Sequence, residues 1–272
     1  MHRSALHTLV LSGALLASFA AHAADVKDSQ ETAAMSPDNR IKAVFELGAA
    51  GRVAPEYYGS GDYEFSAVPL ISFEYLYIPG VLEVGESDGR GGGFSIGPSF
   101  GYTGKRDSSD HDDLDGLDDV DATYEAGIKL GYEWSYADVY GAVRYAFGGA
   151  DGFVGEVGAD AIARPTDTLE LKLGPKVSFA SSNYLGAYLG VSAAEAARSG
   201  GRFSAYDPDG GISSVGAVAS ARWEFYPTYY LNAEATYDRL VGDAADSPVV
   251  DAGSKDQYSF QLGVSKKFSV GF

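Results

Sequence analysis

The residues best equipped for chemistry in this chain are carboxylates. Eight Asp stand between Asp107 and Asp121, at 107, 110, 112, 113, 115, 118, 119 and 121. So many hard oxygen donors suit Ca²⁺ or Mg²⁺. Yet Asp113-Leu114-Asp115-Gly116 lacks the alternating ligands before Gly and the later Glu of an EF-hand loop. The readings are a solvated acidic loop, a loose divalent site or a partner-docking surface, and no metal is assigned. A nucleophile with its base is harder still to build. The chain has no Cys and four His: His2, His7, His22 and His111. The first three fall in a segment expected to be removed, which leaves His111, inside the acidic loop, as the only general base of its type. A His-based zinc site is excluded by count, and so is thiol chemistry. No spacing points to carboxylate-only catalysis. No enzyme activity, catalytic residue or cofactor is expected.

The elements that carry these residues begin with an address. Met1 to Ala23 has Arg3, an apolar run and Ala21-His22-Ala23, which reads as a secretory signal cut before Ala24. Residues 24–40 are polar and aperiodic and read as a flexible lead-in. Residues 41–272 form the third segment. The net charge of −18 leaves no basic face for nucleic acid. The 35 Gly, 19 Tyr and 14 Phe are a strand-and-turn composition.

From residue 41 the pattern has period two. Tyr258, Phe260, Leu262 and Val264 oppose Ser259, Gln261, Gly263 and Ser265. Ala126, Ile128 and Leu130 oppose Glu125 and Lys129, and Leu171 and Leu173 oppose Glu170 and Lys172. Such alternation means strands with one apolar and one polar face. A soluble sandwich and a membrane barrel both accept them. Many runs reach ten residues, the length of a tilted membrane strand, and aromatics such as Trp134, Tyr136, Trp223 and Tyr229 gather at run ends. The fold expected is therefore all-β, an antiparallel transmembrane β-barrel. It should lie in the cell outer membrane, with outer-membrane lipid around it. Twelve strands are counted, near 42–50, 63–75, 80–85, 93–102, 122–134, 137–147, 153–164, 168–179, 184–191, 213–225, 229–239 and 257–268, with ten to fourteen as the range. Twelve raises a parity conflict. With a periplasmic N-terminus, the long connection 103–121 would fall on the periplasmic side, where short turns are usual.

Four stretches then carry a resemblance. Pro55-Glu56-Tyr57-Tyr58-Gly59-Ser60-Gly61-Asp62-Tyr63 follows the first strand. Gly104-Lys105-Arg106 precedes Leu114-Asp115-Gly116-Leu117-Asp118-Asp119-Val120-Asp121. Tyr188 to Gly200 includes Ser192 and Ser199, and Arg239-Leu240-Val241-Gly242-Asp243-Ala244-Ala245-Asp246-Ser247-Pro248 opens a late loop. In this order they resemble motifs of the MipA/OmpV family, with Glu195 where Gln is common. The resemblance implies an outer-membrane barrel. It also implies a scaffold that joins a lytic transglycosylase to a murein synthase, with permeation and adhesion as alternatives, and it brings no catalytic residues. The residues singled out by the motifs, with role open, are Tyr58, Gly59, Ser60, Asp62, Arg106, Gly116, Asp119, Asp121, Ser192, Ser199, Gly200, Arg239, Gly242, Asp243, Asp246, Ser247 and Pro248.

Local chemistry adds further expectations. Ser192-Ala193-Ala194-Glu195 is a capping box ahead of a short helix that rests on the barrel wall or constricts the lumen. Arg239 can pair with Asp243 and Asp246. The inward charges either line a pore or bridge a narrow lumen. Gly263 with Phe268, or with Phe272, supplies the terminal aromatic of an assembly signal, and Phe268 is expected to end the membrane-embedded ladder.

Overall fold

The computed structural model describes residues 41–85, 92–108 and 112–271. The expected signal peptide and lead-in, residues 109–111 of the acidic loop, and Phe272 lie outside these. Among the described residues eleven strands form one antiparallel sheet: β1 Lys42–Pro55, β2 Tyr63–Ile78, β3 Leu82–Gly85, β4 Gly93–Thr103, β5 Thr123–Glu133, β6 Ala137–Gly148, β7 Gly152–Thr166, β8 Leu169–Ala180, β9 Gly211–Tyr226, β10 Tyr229–Leu240 and β11 Asp256–Gly271. Their order is β3-β2-β1-β11-β10-β9-β8-β7-β6-β5-β4. The first long strand thus pairs with the last, from Lys42 opposite Gly271 to Val53 opposite Phe260. The sheet curls into a nearly closed barrel.

The expected strand at 184–191 is instead a helix, α1 Ser182–Leu189. Its buried residues are Tyr184, Leu185, Tyr188 and Leu189. They recur at three and four residues, the spacing of a helix face and not of a strand. The parity conflict also resolves. Every neighbouring pair in the sheet is antiparallel, so β3 and β4 run in the same direction. They occupy one rung of the up-and-down order, which makes the odd strand count behave as an even one. The connections 79–81, 134–136, 167–168 and 227–228, none longer than three residues, then lie at one end of the barrel. The connections 56–62, 104–122, 149–151, 181–210 and 241–255 all lie at the other. Short turns on one side and long loops on the other are the habit of outer-membrane barrels.

The two faces are sorted as alternation requires. Ile128, Leu130, Leu171 and Leu173 are exposed on the outside, with Phe94, Ile96, Phe100, Phe260 and Leu262. This is an apolar band for lipid, and it makes the barrel a transmembrane one. Trp134, Tyr136, Trp223, Phe225 and Tyr226 cluster outward around the turn end, as an interfacial girdle does. Near that end Phe268 stacks on Phe45 at 5.6 Å, and pairing continues past it to Gly271 opposite Lys42. Lys266, one step before, lies 5.0 Å from the Tyr229 ring and 5.4 Å from that of Phe268. An ammonium over aromatic faces tolerates an outward position at the interface.

Inside, several of the charges bridge strands that are not neighbours. Arg222 of β9 reaches Glu46 of β1 and, at 2.6 Å, Glu74 of β2. Lys172 of β8 meets Glu133 of β5 and Asp138 of β6, each at 2.7 Å. Lys176 joins Asp238 of β10 at 2.9 Å. These contacts are chords across the lumen.

Candidate functional site: a loop cap at one end of the barrel

The long loops do not stand apart. They fold over the barrel mouth into a cap with its own apolar core, in which Leu114, Leu185, Tyr188, Leu189, Leu240, Val249 and Val250 are almost fully buried. Burying side chains of this size contributes roughly 1.5–3 kcal/mol each. Two short helices complete the cap, α2 Ala193–Arg198 and α3 Gly242–Ala245, and a third, α4 Pro248–Ala252, leads into β11.

The motif residues converge here. Arg106, buried at 2% exposure, donates from its guanidinium to the carbonyl of Tyr188 and, at 3.0 Å, to that of Asp118. Burial pulls the Arg106 pKa down, against the pull of Glu195 nearby. Gly116 sits at φ +99°, and a Cβ there would stand 2.6 Å from Ser199 Cα, so the acidic loop can lie on α2 only with Gly at this turn. Its carbonyl accepts from Arg198 Nε at 3.2 Å, and Asp118 pairs with the same Arg. Asp119 Oδ1 accepts from the backbone and side chain of Ser108 at 2.9 and 2.8 Å. Asp121 lies beside Gly149 through its backbone.

The capping box forms as its spacing predicts. Ser192 Oγ accepts from Glu195 N at 3.2 Å, and Glu195 Oε2 accepts from Ser192 N at 2.7 Å. Glu195 Oε1 also accepts from Asp118 N at 2.9 Å, which ties the helix to the acidic loop. Burial alone would raise the Glu195 pKa, but these donors hold it below its ordinary value. Ser199 Oγ donates to Ala196 O at 2.8 Å, and Gly200 follows at φ +65° to end the turn.

The first and last loops close over α1. Gly59, at φ +94°, is pressed against Val250 and Leu189: a Cβ there would stand 2.9 and 3.1 Å from their side chains. Its N–H donates to Gln257 Oε1 at 3.3 Å, and Gln257 Nε2 donates to Ser60 O at 3.0 Å. Ser60 Oγ accepts from Asp62 N at 3.0 Å. The Tyr58 ring meets that of Tyr184 edge-on at 6.0 Å. Ser247 is fully buried and donates to Leu189 O at 2.6 Å while capping α4, whose first residue is Pro248. Gly242 takes φ +55° at the head of α3, and Asp246 N donates back to Gly242 O at 3.1 Å. The expected pairing of Arg239 with Asp243 and Asp246 is not made. Arg239 binds Asp256 at 2.7 and 2.9 Å, its cross-strand neighbour in β11, while Asp243 accepts from Asp209 N at 2.8 Å.

Two tyrosines of α1 connect cap to lumen: Tyr184, outside the motif stretches, and Tyr188, which opens the third of them. The Tyr188 hydroxyl lies 2.8 Å from Thr123 Oγ1 and 3.1 Å from Gly104 O, and burial pushes its pKa up to about 12. The Tyr184 hydroxyl donates to Glu125 Oε1 at 3.1 Å, and Glu125 pairs with Arg144 at 2.8 Å on the lumen wall. The helical spacing of these tyrosines was the signal available to find them. Beside α2 a cavity of about 750 Å³ opens, lined by Arg106, Asp118, Val191, Glu195 and Tyr206 among others. Among the described residues no three His, Asp or Glu are placed to hold a metal ion. Gly263 and Phe268 stand apart from the cap, on β11.

The family model described as "MltA-interacting protein MipA" matches residues 47–268. The chain is similar to the MltA-interacting protein of Escherichia coli (strain K12), 29% identical over 82% of this chain and 90% of that protein, and equally to that of Shigella flexneri. Among solved structures it is similar to the NanC porin, at 11% identity and a TM-score of 0.36 over 84% of this chain and 99% of that one. The outer membrane channel DcaP of Acinetobacter baumannii matches at 9% identity and a TM-score of 0.35, over 86% of this chain and 99% of DcaP. Scores this low carry no weight for function.

Proposed function

The chain belongs to the MltA-interacting protein MipA family, and from this premise we propose that it is a non-enzymatic binding barrel of the outer membrane that holds a lytic transglycosylase and links it to a murein synthase. The reading is carried by the capped mouth. Five loops bury a common core over one end of the barrel, and chords such as Arg222–Glu74 cross the lumen beneath it. Such a body is built to present fixed surfaces. The relatives named as MltA-interacting proteins support the choice of partner. Retention of a purified lytic transglycosylase by the detergent-folded barrel at equal stoichiometry is the expected result, and no retention at micromolar concentrations sinks it.

A passive channel is the second reading, favoured by one observation. A cavity of about 390 Å³ remains in the barrel among Glu46, Glu74, Lys172 and Arg222. Stepwise conductance in planar bilayers, with no transglycosylase retained, would make the channel the function.

A further inference from the structure

Arg106 is a buried cation without an anion. Two of its nitrogens donate to the backbone carbonyls of Tyr188 and Asp118, while its Nε, buried as well, has no acceptor. Among the described residues no carboxylate lies within ion-pair distance of it, and Glu195 and Asp118 act on its charge only from farther off. Buried charges are ordinarily paired. The cavity of about 750 Å³ beside α2 lies against this side chain. We propose that the cavity is a binding site for a short zwitterionic peptide, whose carboxylate pairs with Arg106 and whose ammonium meets Asp207.

The walls stand ready without a ligand. Two isolated backbone bridges frame the space. Arg106 and Val120 exchange hydrogen bonds at 2.9 and 2.8 Å, Val191 and Tyr206 at 2.8 Å each, and all four residues line the cavity. Glu195 ties one side to the other through Asp118 N. The second and third motif stretches thus supply walls of one cavity, in a framework that pays little to order itself on binding.

Gly186 keeps the space open. It stands in the middle of α1, where Gly is among the poorest of residues, and on the cavity wall. A Cβ there would meet nothing within 4 Å, so the helix has room for a side chain that it does not carry. Ala187, Gly190, Ala193 and Ala205 are short as well, which leaves the backbone within a ligand's reach.

The charges choose the ligand. Arg106 draws an anion, but the cavity is otherwise acidic. Glu195 is engaged by Ser192 N and Asp118 N, Asp118 by Arg198, and Asp119 Oδ1 by Ser108. Asp207 also lines the cavity, is exposed, and has no side-chain partner among the described residues. One unpaired buried cation and one free carboxylate on the same cavity select a molecule that carries both signs. The volume falls in the range of small-molecule sites, roughly 300–1,000 Å³, with more room than one amino acid fills. Walls of Gly and Ala suit a peptide backbone with small side chains.

The probe is trialanine, titrated calorimetrically into the detergent-folded full chain. Beside it run trialanine amide, which lacks the carboxylate, and N-acetyl-trialanine, which lacks the ammonium. Trialanine should saturate at one per barrel in the low millimolar range or below. Each blocked peptide should bind roughly tenfold more weakly or worse, the loss expected for a hydrogen bond between charged groups. Asp207→Asn should weaken trialanine likewise and leave N-acetyl-trialanine unchanged, because only the first presents an ammonium. Gly186→Phe should fill the cavity and abolish binding while heat-modifiable gel mobility is kept, and Gly186→Ala should keep both. No saturation by trialanine, equal affinity for the three peptides, or undiminished binding in Gly186→Phe would overturn the proposal. Should Gly186→Phe lose its folded mobility, the peptide series and Asp207→Asn still decide the matter. None of these readouts depends on transglycosylase binding.

Discussion

Arg106 and Tyr188 hold two loops of the cap together: the guanidinium of the one donates to the backbone carbonyl of the other, deep in the apolar core. Arg106→Met would leave the carbonyls of Tyr188 and Asp118 without donors and should cost about 2–3 kcal/mol of cap stability. Hydrogen exchange along α1 should quicken roughly 30-fold or more, while the barrel keeps its heat-modifiable mobility. Unchanged exchange in α1 would show that the arginine is dispensable.

Acid should loosen the cap through Glu195. Its folded pKa lies below the ordinary 4.5, so its contribution is complete above that value. It is lost as pH falls through the depressed folded value. Glu195→Gln keeps the capping-box geometry and removes the charge. Protease susceptibility of residues 181–210 should therefore rise with acid in the native protein and stay nearly flat in the variant. Parallel acid profiles would refute the assignment.

Alkali acts on Tyr188 with the opposite sign. A hydroxyl raised from 10 to about 12 contributes fully below pH 10 and is lost as pH climbs through the folded value. Tyr188→Phe should abolish this dependence and cost about 1 kcal/mol at neutral pH, measured by urea unfolding followed at the cap.

Leu171 and Lys172 report the orientation of the wall. Leu171→Arg puts a charge into the lipid band and should cost about 2–4 kcal/mol near the midplane. Spin labels at Leu171 and Leu173 should be relaxed by lipid-borne quenchers, and labels at Glu170 and Lys172 by water-borne ones. The reverse pattern would turn the barrel inside out.

Phe268 should matter more to assembly than the residues after it. Phe268→Ala removes the ring stacked on Phe45 and should impair insertion in cells. Deleting Ser269 to Phe272 removes three described ladder pairs and should leave most insertion intact. Harmless Phe268→Ala beside a lethal deletion would move the assembly signal to the chain end.

Much of the barrel was legible because alternation is a direct imprint of two solvents on one strand. Ile128 against Lys129 needs no structure to be sorted. The helix at Tyr184–Leu189 was misread because a short apolar run suits either element, and only the spacing of its two Tyr–Leu pairs separates them. The shared rung of β3 and β4 was illegible for another reason: direction within a sheet is a tertiary fact that period two does not encode. The same holds for Arg239. Its sequence neighbours Asp243 and Asp246 lay nearer along the chain, but Asp256 stands opposite it across the ladder. The motif residues were found by likeness alone, and their work proves to be mostly architectural, in glycines that permit contact and side chains that satisfy buried backbone.

The pairing of β1 with β11 also sets a clock. Ladder partners such as Lys42 and Gly271 are separated by more than two hundred residues of chain, so the β1–β11 seam cannot form until β11 has been made. Without β11, β1 and β10 each have a bare edge, and a bare edge invites association with other chains. Closure is slow for topological reasons as well, since distant contacts carry their loop entropy before any reward. The last strand is thus the one whose docking removes two aggregation-prone edges at once.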